Sequence, residues 1–227
     1  VQFQGRKFQW APLLQGVQGN GKTFLGNCAK RAIGRRHVHT PSAKDIDNEF
    51  NAWLANNTLY VVEEIYIEEK RRHVLETLKP MITSDEGLQI TLKGVDASMQ
   101  DICGNFLFFT NYKTGLPIER GDRRIAPFFC AQQYVEDLAR DGLTIAYFAD
   151  LIDWAKGEGT CEGQTPGYEH VADFLWTYEI PREFNPVYHK RAPHTSSTED
   201  AIYASLGGAE QEVNEALEQG YPGFKGG

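Results

Sequence analysis

Residues 16–23 read GVQGNGKT and fit the spacing G-x-x-x-x-G-K-[ST], a pattern suited to holding a phosphate chain. Gly16, Gly19 and Gly21 can adopt positive φ and let the backbone crowd a ligand. The amide groups of Gly16, Val17, Gln18, Gly19, Asn20 and Gly21 can then form a concave anion nest at a helix N-terminus. Lys22 would reach the β- and γ-phosphates of a nucleotide, and the Thr23 hydroxyl would ligate Mg²⁺. A second candidate group lies about 40 residues on. Thr58–Glu64 reads TLYVVEE, an apolar strand ending in two carboxylates, the Walker B pattern. By position Glu63 is the metal-side acid and Glu64 the acid that polarises the attacking water. The bland alternative is a solvated acidic turn, since Glu68 and Glu69 follow.

Three further residue types fit the same chemistry. Asn105–Asn111 reads NFLFFTN, and Asn111 at the end of a buried strand could orient water or meet a γ-phosphate; otherwise it starts a turn. Gly121–Phe129 reads GDRRIAPFF. Arg123 and Arg124 are placed to contact a phosphate across a subunit boundary, or else to pair with Asp122. Leu88–Gly94 reads LQITLKG. Its alternation predicts a half-exposed strand with Lys93-Gly94 at the turn, and a lysine there matters beyond solvation only if the tip faces a pore.

These residues need a scaffold. Ala11, Leu13 and Leu14 predict a short buried strand before the loop, although Pro12 is awkward in a central strand. Phe24, Leu25, Cys28, Ala29, Ala32 and Ile33 repeat at helical spacing after it. Phe8 and Trp10 pack on the core or stand near a nucleotide base, packing being favoured. Lys30, Arg31, Arg35 and Arg36, with His37 and His39, read as a solvated helix end, where cations suit the dipole; a DNA contact is the alternative. His37–Thr40 is a strand candidate. A helix is predicted over Ser42–Leu54 with Ser42 as N-cap, and another over Lys70–Leu78 with Val74, Leu75 and Leu78 inward. Val135–Trp154 predicts one or two amphipathic helices, and Gly157–Gly167 a linker. Pro181 and Pro186 break any long helix in the aromatic-rich segment 168–190. The Ser/Thr stretch Thr195–Thr198 is expected to cap a helix over Glu199–Leu206, and Gln211–Leu217 is a further helix candidate.

Composition sets outer bounds. The chain has 227 residues, of which 41% are hydrophobic, ordinary for a globular protein. The longest apolar run, near Phe106–Phe109, is strand-sized, so no membrane span is expected. Cysteines at 28, 103, 130 and 161 lack metal-ligand or C-x-x-C spacing, which predicts reduced thiols in a cytoplasmic protein. The net charge of −8 is unevenly spread: residues 1–156 hold 19 basic and 19 acidic side chains, residues 157–227 hold 4 and 12. The first part can therefore present a local basic surface. The expected organisation is an ATPase core over 1–156 and an acidic lid or packing module over 157–227. The chain lacks an initiator Met and reads as a piece of something longer.

The order of these blocks resembles the superfamily 3 helicases, most closely the helicase half of phage and plasmid primase-helicases of the poxvirus type. The matching stretches are GVQGNGKT (16–23), LYVVEE (59–64), KPMITSDEGLQITLKG (79–94), FLFFTN (106–111) and DRR (122–124). At position 63 the family more commonly has Asp. The resemblance implies an α/β P-loop fold of AAA+ type, a parallel sheet flanked by helices, with a small, mostly helical C-terminal appendage. It implies a homo-oligomeric ring, usually a hexamer, with ATP and Mg²⁺ bound between neighbours and ATP-driven 3′ to 5′ movement along single-stranded DNA. Carried over, Lys22 and Thr23 bind phosphate and Mg²⁺, Glu63 and Glu64 are the Walker B acids, and Asn111 is the sensor. Arg123 or Arg124 is the finger acting in trans, and Lys93 belongs to the block that supplies the DNA-touching pore hairpin. An N-terminal primase or polymerase portion and a bacterial host cytoplasm complete that expectation. Two other classes fit the P-loop: a small-molecule kinase, and an ATP-binding oligomerisation module that does not translocate.

Overall fold

Four consecutive apolar residues, Leu59–Val62, are too short for a helix and apolar on both faces, and they form a strand buried at every position. Such strands belong in parallel sheets covered on both sides. The computed structural model describes residues 7–67, 73–84, 87–158, 165–185, 188–207, 210, 211 and 213. Its main sheet has five strands: β1 (Ala11–Gln15), β2 (Val38–His39), β3 (Leu59–Val62), β6 (Asn105–Thr110) and β7 (Ile125–Phe129). They lie in the order β2-β3-β6-β1-β7, and every pairing is parallel. Between β3 and β6 the chain makes a separate antiparallel hairpin, β4 (Leu88–Leu92) and β5 (Val95–Gln100), with Lys93 and Gly94 at its turn. The fold is thus α/β with a parallel sheet flanked by helices.

Pro12 sits in a central strand without a lost bond. The Ala11 amide donates to Arg124 on the β7 side, so by alternation the Pro12 nitrogen faces β6. Pairing with β6 begins only at Leu13, so the missing N–H falls ahead of the ladder. Pro127 is excused differently. The Cys130 amide donates to Gln15 on the β1 side, so the Pro127 nitrogen faces the outer edge of the sheet. That edge is covered by side chains: Phe129 N donates to Ser197 Oγ at 2.9 Å, and Thr195 Oγ1 donates to Pro127 O. The Ser/Thr stretch therefore covers a strand edge, which would otherwise invite pairing. It does not cap the helix that follows, α7 (Thr198–Ala204), whose N-cap Ser197 makes no side-chain cap bond.

Helix α1 (Lys22–Ile33) follows the loop after β1 as the periodicity predicts. The helix expected over Ser42–Leu54 is shorter. Ser42 does start it, accepting from Asp45 N while Asp45 Oδ2 accepts from Ser42 N and Oγ, and these bonds hold the Asp45 carboxyl below its usual range. Yet α2 spans only Ala43–Ile46, and a 3-10 turn covers Ala52–Leu54. Asparagines end it: Asn48 Oδ1 takes the Phe50 amide, and Asn51 bonds Gln89 O and Thr91 N on β4. Short polar side chains compete with the helix ladder in this way. Helix α3 (His73–Thr83) runs on past Leu78 through Pro80, burying Val74, Leu78, Met81 and Ile82. The expected start at Lys70, and most of the candidate helix Gln211–Leu217, lie outside the described residues.

After β7 the chain forms α4 (Val135–Arg140), α5 (Ile145–Lys156), α6 (Gly167–Thr177) and α7. Thr144 caps α5 by accepting from Tyr147 N, and Gly157 ends it at φ 77°. Helix α6 lies along α1, where Trp176 Nε1 donates to Ala32 O at 2.6 Å. Ala201 and Ile202 of α7 join the main hydrophobic core. Trp10 Nε1 donates to His189 O, so that residue ties the N-terminal segment to the C-terminal one. Cys28, Cys103 and Cys130 are free thiols. Among the described residues no helix is long and apolar enough to cross a membrane.

An aromatic cluster anchors the sheet centre. Tyr60 and Phe106 pack at 4.7 Å, Phe106 and Phe108 at 5.4 Å, and Trp53 meets Tyr60 edge-on at 5.3 Å. Phe108 is fully buried, whereas Ile145 is 92% exposed. Phe108→Ala is expected to cost about 3–5 kcal/mol and Ile145→Ala less than about 0.5 kcal/mol, as measured by urea unfolding.

Candidate functional site

The carboxyl ends of β1, β3 and β6 lie side by side at one edge of the sheet, and the residues that follow them surround a cleft of about 530 Å³. From β1 comes the loop 16–21. Gly16 N donates to Thr110 O and Val17 N to Gln132 O, which ties the loop to β6 and to the segment after β7. Gly19 and Gly21 have φ of 90° and 93°, a region costly for residues with a Cβ. Helix α1 then opens with Gly21 as N-cap, no capping side chain and no acid in its first turn. Its first amides lack intrahelical partners and carry the positive end of the dipole. An anion fits there without further adjustment.

Lys22 folds back over this loop. Its Nζ donates to Gly16 O at 2.6 Å, Val17 O at 3.0 Å and Asn20 Oδ1 at 2.9 Å. Burial holds its pKa below the ordinary lysine value, against smaller upward pulls from Cys130 and Glu64. The other atom of the same amide, Asn20 Nδ2, is buried without a hydrogen-bond partner. An orphaned donor inside a loop of this shape is an observation that favours an anionic guest.

From β3 come the two carboxylates. Glu63 Oε1 accepts from Lys30 Nζ on α1 at 2.7 Å. The expected metal-side acid thus already has an ammonium partner. Glu64 is exposed and holds φ 55°, an uncommon conformation for a non-glycine residue that marks a site under constraint. From β6 comes Asn111, which lines the cleft and whose carbonyl accepts from the buried Gln15 Nε2 at 3.2 Å. Gln15 and Gln133 pair amide to amide behind it, at 3.1 and 2.9 Å. Gln18, Gly19, Asn20, Gly21, Lys22, Thr23, Glu63, Glu64 and Asn111 therefore share one cavity. Gly16 and Val17 form the loop's anchored root.

Arg123, Arg124 and Lys93 are elsewhere. The arginines precede β7, so they stand at the amino edge of the sheet. A five-residue strand separates the two edges by about 16 Å. Arg123 is exposed, and its carbonyl accepts from Ala192 N. Arg124 is half-buried; its amide donates to Asp122 Oδ1 at 2.7 Å, while its Nη1 stands 3.7 Å from the same oxygen. Lys93 is exposed at the hairpin tip, beside Gly94 at φ 77°.

The cleft also has walls that the motif reading did not reach: Phe24, Asn27, Phe148, Ile152, Lys156 and Tyr168. Thr23, Asn27 and Lys30 follow i, i+4, i+7 spacing, so a polar stripe on α1 is a signal that could have found Asn27 and Lys30. Phe148, Ile152 and Lys156 come from α5 and Tyr168 from α6. Their arrival depends on tertiary packing, and no local pattern announces it. The Tyr168 ring stacks on Phe24 at 5.7 Å, and the Arg31 guanidinium lies 5.1 Å over it.

With Thr23 and Glu63 as its protein ligands, a Mg²⁺ ion would be held as this ion often is, by few side chains together with phosphate oxygens and water. Among the described residues no group of three or more His, Cys, Asp or Glu could hold a metal by itself.

Comparison with known proteins agrees with this architecture. A family of unknown function, DUF5906, matches residues 14–124, a stretch that starts just before the glycine-rich loop and ends at Arg124. Among curated proteins none matches the chain. Solved structures of the C-terminal region of NrS-1 share the fold. The apo structure of residues 305–718 has a TM-score of 0.63 at 19% identity over 93% of this chain, and an A-form apo structure has 0.65 at 18% over 94%. This chain spans 46% of either structure, a little under half its length.

Proposed function

We propose that the chain is the ATP-hydrolysing motor of a DNA helicase in phage-type replication, working as a ring and translocating on single-stranded DNA. The observation that carries this reading is the convergence of Lys22, Thr23, Glu63, Glu64 and Asn111 on one cleft, with Arg123 and Arg124 at the opposite edge of the sheet. Arginines that cannot turn toward their own cleft suit a site completed by a second copy. The fold likeness to part of NrS-1, a phage primase-helicase, supports a replication-associated role. A hexamer, a primase or polymerase portion elsewhere in the protein, and a bacterial cytoplasm belong to the same reading.

In this reading the Lys22 ammonium exchanges its present loop acceptors for phosphate oxygens of ATP, which the free amides at the start of α1 also meet. Thr23 and Glu63 hold Mg²⁺, which when bound neutralises charge on the phosphate oxygens. Glu63 then loosens or shares its bond to Lys30. Glu64 accepts the proton of the attacking water, and the Asn111 amide orients that water. An arginine of the neighbouring subunit, Arg123 or Arg124, stabilises charge on the transferring phosphoryl group. Lys93 meets DNA through backbone phosphate, which makes binding sequence-tolerant and salt-sensitive.

Glu64→Gln is expected to lower ATP turnover by about 10²–10⁴-fold while nucleotide affinity, followed with a fluorescent ATP analogue, stays within a few-fold. Unchanged turnover would remove Glu64 from catalysis and favour a module that only binds ATP. Lys22→Ala is expected to weaken nucleotide binding itself. Arg123→Ala or Arg124→Ala should each be tested alone and mixed with Lys22→Ala. Partial recovery of ATPase in one of the mixtures is expected, because the Lys22→Ala subunit supplies an intact arginine to its neighbour's intact P-loop. Failure to recover at any ratio, for both arginines, would argue against action in trans.

A further inference from the structure

The basic run at the end of α1 has no part in the hydrolysis just described. In the structure it is not spread over a solvated face. Lys30 and Arg31 of α1 and Arg35 of the following turn converge with Lys156, from the last turn of α5, around a second hollow of about 370 Å³. Asn27, Val38, Thr40 and Tyr168 complete its lining. Four cations and no carboxylate line it among the described residues, in a chain whose net charge is −8. Asn27, Lys156 and Tyr168 also line the P-loop cleft, so the two hollows adjoin. A third hollow of about 260 Å³ continues past Arg31, Lys156 and Tyr168 along α6.

The cations keep donors to offer. The Arg31 guanidinium lies over the Tyr168 ring, a contact that holds the group in place without consuming its N–H bonds. Lys156 stands 3.3 Å from Glu158, with both side chains at least half exposed, and a pair of that kind contributes little. Arg35 is exposed. Lys30 alone is committed, to Glu63. The three hollows adjoin through shared residues and form a trough open to solvent, with Glu63 and Glu64 at one end, Glu169 at the other and cations alone as its charged lining in the middle. An open, cation-lined surface of this kind matches a charged chain laid along it.

We infer that this trough is a track for the phosphodiester backbone of single-stranded nucleic acid, with Arg31, Arg35 and Lys156 on successive phosphates, entering beside the nucleotide cleft. The inference rests on the proposed action on single-stranded DNA but assigns it a contact surface besides the hairpin of Lys93. The shared chemistry is phosphate oxyanion recognition, so the alternative source is a mononucleotide reaching out of the cleft.

The test is fluorescence anisotropy of a labelled oligothymidylate with the full chain, titrated between about 50 and 200 mM salt, for the parent, Arg35→Glu, Arg35→Gln, Arg36→Glu and Lys93→Glu. Arg36 neighbours Arg35 in the same turn but does not line the trough. Arg35→Glu is expected to weaken binding at least fivefold. Arg35→Gln should flatten the slope of log K against log salt by about 0.7, the value of one single-strand phosphate contact. Arg36→Glu should stay within twofold. Equal effects at 35 and 36, or none at 35, would overturn the track. Loss only at Lys93 would overturn it while leaving the helicase reading in place, and no binding by the parent would remove both. A parallel titration with a fluorescent ADP analogue covers the other source: a shift at Arg35→Glu in ADP affinity alone, with oligothymidylate binding unchanged, would assign the trough to the nucleotide and overturn the track.

Discussion

All five strands of the sheet point the same way, and the rest of the molecule depends on that constraint. Parallel strands carry their carboxyl ends to one edge, so whatever follows β1, β3 and β6 must meet there. In this chain those sequels are the glycine-rich loop, the Glu63-Glu64 pair and Asn111. The same constraint sends Arg123 and Arg124, which precede β7, to the other edge. The cleft and the isolation of the arginines are two consequences of one topology.

Within the cleft, charge is balanced internally. The Lys22 ammonium is satisfied by two loop carbonyls and an amide oxygen, and Glu63 by Lys30. Both groups carry the charge that a Mg–nucleotide complex would need, and both hold it in bonds that such a complex can replace. Asn20 Nδ2 and the uncapped N-terminus of α1 are the places where the balance is incomplete. The guest that repairs both is an anion.

The acidic segment after residue 156 is more than a tail. Its helix α6 brings Tyr168 to the cleft beside Phe148, Ile152 and Lys156 of α5, and α7 with the segment before it seals the outer edge of β7. Tyr168, held between Phe24 and Arg31, stands between the cleft and the basic trough. Lys156 belongs to both spaces, so a charge bound in one is felt in the other.

Much of this was legible in order along the chain. The loop 16–23, the apolar run 59–62 with its two acids, the alternation 88–92 and the run 105–110 are local signals, because strand and helix periods and turn-forming glycines act over a few residues. The amino acids alone determined these elements, and their sequence in the chain carried the family resemblance. Where local reading failed, a distant partner was responsible. Asn51 turned from its helix to β4, and Thr195 and Ser197 turned from their helix to β7. Lys30, read as a solvated helix end, found Glu63. Only the tertiary structure decided which side chains wall the cleft, that the basic run forms a trough, and that the arginine pair faces away from its own loop. Such facts are set by strand order and helix packing between residues more than a hundred positions apart, and no spacing in the sequence encodes that distance.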